Sequence, residues 1–151
     1  MKIEDAIKSK FENNQQKAYI NLIYTANEIN AVSKKLFKQF DVTLQQYNVL
    51  RILKGKHPES VNPGDIKAVM LDKSPDLTRL VDRLLAKDLV SRETCEVNRR
   101  KIDIKISEKG LHFLEKTNSK IANNEQFITK SLTDKEADQL SDLLDKLRAS
   151  L

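Results

Sequence analysis

The chain of 151 residues has a single cysteine, Cys95, so it cannot close a disulfide on itself. Its two histidines, His57 and His112, belong to no His-Glu-x-x-His pattern, and no Cys-x-x-Cys pair exists, which removes the common zinc signatures. Glycine is as scarce: Gly55, Gly64 and Gly110 are the only three, and none builds a phosphate-cradling loop. No apolar run approaches the roughly 18 residues of a membrane span, and Met1-Lys2-Ile3-Glu4-Asp5 leads into no apolar signal core. A cytoplasmic protein without a membrane partner is expected. Carboxylates are plentiful but form no constellation that assigns acid and base roles, and surface solvation accounts for them. Neither an enzyme nor a resident metal or cofactor is expected. No Gly/Ser/Pro-rich linker divides the chain, so it reads as one folding unit.

Charge adds little by itself. The formal balance is +5, from 27 basic and 22 acidic residues, which favours polyanionic partners only weakly. Between Asp72 and Lys109 the count is ten basic against eight acidic side chains. A nucleic-acid reading must therefore rest on arrangement.

That arrangement lies between residues 74 and 107. Ser74 can cap a helix, Pro75 suits a first helical position because it has no N–H to satisfy, and Asp76 adds negative charge near the positive helix end. Leu77, Leu80, Val81, Leu84 and Leu85 then fall on one helical stripe. The opposite face carries Asp76, Thr78, Arg79, Asp82, Arg83 and Lys87, which suits a major groove, where arginine bonds guanine bidentately. A charged face alone fits ordinary solvation equally well. The residues that follow favour DNA. Lys101 to Ser107 alternate polar and apolar, a half-buried strand with three isoleucines inward, and a strand of matching length, including Ser91 to Cys95, precedes it. Arg99, Arg100 and Lys101 cluster at the tip between them, where cations can meet phosphates or a narrow minor groove. Helix and hairpin together make a winged helix. Cys95 has cationic neighbours in sequence, but it reads as a small strand residue and not as an oxidant sensor.

The run from Leu71 to Leu84, followed by Asn98-Arg99-Arg100 and Ile106-Ser107-Glu108-Lys109-Gly110, resembles the MarR family of bacterial transcriptional regulators. The likeness extends upstream through Thr43 to Leu53 and covers the order of elements along essentially the whole chain. One position departs: family members usually carry aspartate where this chain has Asn98, which keeps hydrogen-bond acceptance and drops the charge that typically pairs with a wing arginine. The resemblance implies a mainly α fold with a small β-wing: a winged helix-turn-helix lobe at about 43–107, flanked by dimerisation helices at about 4–40 and 108–151. It implies a homodimeric regulator of transcription, most often a repressor. A small effector, often anionic and aromatic, would bind between the lobe and the dimer helices. The DNA-contacting residues expected are Ser74, Pro75, Asp76, Thr78, Arg79 and Arg83 on the helix, with Arg99 and Arg100 on the wing.

The flanking segments read as helices. Residues 6–40 lack glycine and proline and carry a loose stripe that includes Ile20, Ile23, Ile29, Val32 and Phe37. Thr43 with Gln46 makes a capping box, Asn62-Pro63 a cap followed by proline, Ser107 caps a helix at about 108–130, and Thr133 with Glu136 caps the last. That final helix shows an apolar seam of Ala137, Leu140, Leu143, Leu144, Leu147 and Leu151. It could pack on the chain's own first helix or on a second copy; a C2 dimer would place two reading helices about one DNA turn apart, on a pseudo-palindromic operator. From the residues alone, a helical adaptor that binds protein without DNA, or an architectural DNA binder without sequence preference, stays open.

Overall fold

The computed structural model describes residues 1–73, 75–94 and 102–151, the side chains of residues 124 and 125 excepted. Among the described residues, seven helices and a two-stranded antiparallel sheet follow in the order α1 (Ile3–Ile7), α2 (Asn14–Lys38), α3 (Leu44–Lys56), α4 (Pro63–Val69), α5 (Leu77–Leu85), β1 (Val90–Thr94), β2 (Ile102–Ile106), α6 (Glu108–Ser131) and α7 (Asp134–Arg148). This is the mainly α architecture with a small β-wing that the sequence leads one to expect.

α3 is the hub. Thr43 accepts from the Gln46 amide while the Gln46 side chain accepts from the Thr43 amide, so the capping box fixes where the helix begins. Its Val49, Leu50 and Leu53 are fully buried and touch a core built with Ile66, Leu84, Ile104, Ile106 and Leu114. Each such side chain contributes about 1.5–3 kcal/mol by leaving water. α3 thereby contacts α2, α4, α5, α6 and β2 together, and α5 and the hairpin share one foundation.

The long first helix expected over residues 6–40 is two helices. Lys8 adopts a left-handed conformation (φ 52°) that closes α1, and Asn13 opens α2 by accepting from the Gln16 amide at 2.8 Å. Gln16 answers by accepting from the Glu12 amide. α1 is held down by buried Ile3 and by Lys17, 2.5 Å from the Glu4 carboxylate; the hydrogen bond from Lys17 holds that carboxyl below its usual range.

β1 and β2 pair from Val90–Ile106 to Thr94–Ile102. A third partner was not foreseen: Val61 bonds Ile104 in both directions, N–H to O at 2.8 and 2.9 Å. Of the three isoleucines expected to face inward, Ile104 and Ile106 do, whereas Ile102 is 51% exposed. The ladder carries it past the point where Val61 and the helices back the sheet.

α7 begins at the expected capping box, where the Thr133 amide holds the Glu136 carboxyl below its ordinary value. Nothing on α7 is buried, and Leu140, Leu143 and Leu147 all face solvent. Ala137 and Leu144, on the same seam, are half-buried. α2 likewise leaves Leu22, Ile23, Ile29 and Val32 exposed. No described helix is long and apolar enough to cross a membrane, and no group of His, Cys, Asp and Glu among the described residues is arranged to hold a metal.

Candidate nucleic-acid interface

α5 buries Leu77, Leu80, Val81 and Leu84, with Leu85 partly buried against the same core. Thr78, Arg79, Asp82 and Arg83 are therefore turned outward. The start of the helix differs from expectation. Asp76 is the N-cap, not a first-turn residue: its Oδ1 accepts from the Thr78 amide at 3.0 Å and the Arg79 amide at 3.4 Å. Pro75 thus precedes the cap instead of occupying the first helical position. Serine and aspartate are both competent caps, and a carboxylate that reaches two free amides leaves no need for an earlier one. Ser74, the wing cations Arg99, Arg100 and Lys101, and Asn98 and Cys95 lie outside the described residues.

The turn leading into α5 is anchored from α3. The Asn48 side-chain oxygen accepts from the Leu71 amide at 3.0 Å, and Gln45 donates to Asp72 at 3.5 Å. The hairpin is anchored to α5 itself, because Arg92 at its root donates to Asp82 at 2.5 Å. Sequence pattern did not flag Arg92 or Asn48 for these roles, since the partners are 10 and 23 residues away. Asp82→Ala should leave the melting temperature within a few degrees, an exposed pair being worth about 1 kcal/mol or less. It should nevertheless weaken duplex binding by releasing the hairpin from α5. Equal affinity in a filter-binding titration would show that this anchor has no part in docking.

Two hollows flank the helix. One, of about 620 Å³, is lined by Pro63, Lys67, Pro75, Thr78, Arg92 and Ile102. The other, of about 1080 Å³, lies among α2, the start of α3 and the last turn of α5, with Lys34, Lys38, Arg83 and Lys87 beside Asp41 and Asp72. At its rim Lys87 donates to the Asp41 carbonyl at 2.6 Å and pairs with the Asp41 carboxylate, tying the end of α5 to the end of α2.

The chain matches the MarR family model over residues 40–101, a span that contains α3, α4, α5 and β1 and stops short of β2. It is 31% identical to a MarR transcription factor from Planctomyces limnophilus, covering 93% of this chain and 99% of that one at a TM-score of 0.70. It is 26% identical to a mutant MarR from E. coli solved with operator DNA, over 91% of this chain and 99% of that one, at a TM-score of 0.75. The transcriptional regulator PecS from Dickeya dadantii is 22% identical over 124 residues, 82% of this chain and 75% of PecS. With the winged-helix lobe in place and its reading face turned outward, the chain belongs to the MarR family of transcription regulators.

Proposed function

We propose that two copies of this chain form a sequence-specific, DNA-binding repressor of a pseudo-palindromic operator, acting in the cytoplasm and without catalysis. What carries the reading is the division of α5: four apolar side chains buried, and Thr78, Arg79 and Arg83 presented together beside an anchored hairpin. Thr78 and Arg79 are nearest the cap and suited to base edges, while Arg83, at the rim of the larger hollow, suits phosphate. Pro75 and Asp76, at the entry to the helix, and Ser74, Arg99 and Arg100, outside the described residues, complete the proposed DNA contacts. The MarR relative solved with operator DNA supports this use of the lobe. The exposed leucines of α7 and the exposed apolar residues of α2 support a dimer, which would cover both.

The larger hollow suits an effector that is anionic and partly apolar, since four cations border it and Phe37, Val42 and Leu44 form part of its wall. Such a ligand regulates only if it binds better to a spacing of the two reading helices that misfits the operator.

The test is selection of duplexes from a random pool, followed by a salt titration on the selected operator. Two half-sites about one turn apart are expected. Affinity should fall by about three to five decades between roughly 50 and 200 mM salt, as for six to ten phosphate contacts. No duplex binding would point to a protein adaptor, and binding without enrichment to an architectural role.

A further inference from the structure

Asp76 uses its two carboxylate oxygens differently. Oδ1 caps α5, and Oδ2 lies 3.5 Å from Nε of Arg79, three residues on. Both side chains are open to solvent, Arg79 at 81% and Asp76 at 58%. An exposed pair of this kind contributes little to folding. The cap alone does not require a charge, because asparagine or serine would serve it as well. The charge gains something from the helix dipole, yet it stands on the face that approaches a polyanion, where it opposes binding.

The geometry at Arg79 gives that charge a use. Of the guanidinium nitrogens it is Nε that the carboxylate approaches, as an ion pair and not a hydrogen bond, which leaves the four N–H groups on the terminal nitrogens for a ligand. Guanine is read by two parallel donors. A long side chain biased toward one orientation by a carboxylate near Nε has fewer rotamers to lose when it meets the base, so part of the ordering cost is met before binding.

We propose that Asp76 is a positioning residue for base readout, bracing Arg79 at Nε so that its terminal nitrogens are presented to a guanine edge. The proposal rests on the reading of Arg79 as a base contact, and the experiment separates the two. Asp76→Asn and Asp76→Ser keep a capping oxygen and remove the charge; Arg79→Ala removes the reader. Each protein is titrated against the selected operator, against single base-pair substitutions of it, and against an unrelated duplex.

For both Asp76 variants we expect affinity for the unrelated duplex to rise, because a negative charge has left the face. Discrimination at the base pair that Arg79→Ala affects should fall by about fivefold or more. In the Arg79→Ala background, Asp76→Asn should cause no further loss there. These opposite signs distinguish a brace from a cap, whose loss would weaken all duplexes together. If Asp76→Asn and Asp76→Ser keep full discrimination while Arg79→Ala loses it, the brace is wrong and the reader stands. If Arg79→Ala loses no discrimination at any base pair, reader and brace fall together.

Discussion

Gly110→Ala lowers the stability of the fold by about 3 kcal/mol or more, the upper range for forcing an atom into a packed interior. Gly110 sits in the first turn of α6, where its amide donates to the Ser107 hydroxyl at 3.0 Å. A Cβ there would stand 2.2 Å from the carbonyl oxygen of Leu89 and 2.8 Å from Cγ1 of Ile106. The first of these is backbone and cannot rotate away. That carbonyl already accepts from the Ser107 amide at 3.1 Å, so relief would break a buried bond and shift the junction between α5 and β1. Gly55 supplies the control. A Cβ added to it meets nothing within 4 Å, and alanine inside α3 should be neutral or stabilising by about 0.5–1 kcal/mol. Thermal melts of the two variants check the pair, and equal melting temperatures would mean that α6 does not need this close approach.

The second large effect concerns assembly. Leu140 and Leu143 are 46% and 65% exposed on a helix without a buried residue. Changing both to lysine should convert the proposed dimer to monomers, measured by sedimentation, while the helix content of each chain is kept. Operator affinity should then drop by about 100-fold or more, because linking two half-site contacts is worth about two to four decades. A double variant that sediments as a dimer would exclude this seam from the interface.

What the sequence made legible was mostly short-range chemistry. Thr43, Asn62, Ser107 and Thr133 all cap the helices expected of them, because a cap is decided by a side chain and an amide two or three residues apart. The same rule misplaced the start of α5, where two capping residues compete and the nearer one holds both amides. The break between α1 and α2 was written in Asn13 and Gln16, but a stretch without glycine or proline read as continuous, and the left-handed turn fell on a lysine. Longer-range features escaped. Lys87 meets Asp41 across 46 residues, and Val61 joins the sheet as one residue, too short for any periodicity to mark. The wing cations were picked out by their place between two strand patterns; they lie outside the described residues.

Val61 has a mechanical consequence. It is the residue immediately before the Asn62 cap of α4, and its two bonds to Ile104 leave no slack between that helix and the base of the hairpin. With Arg92 paired to Asp82 on the other side, the base of the hairpin is tied to both α4 and α5. A displacement of Ile104 must therefore break its two bonds to Val61 or draw the start of α4 with it.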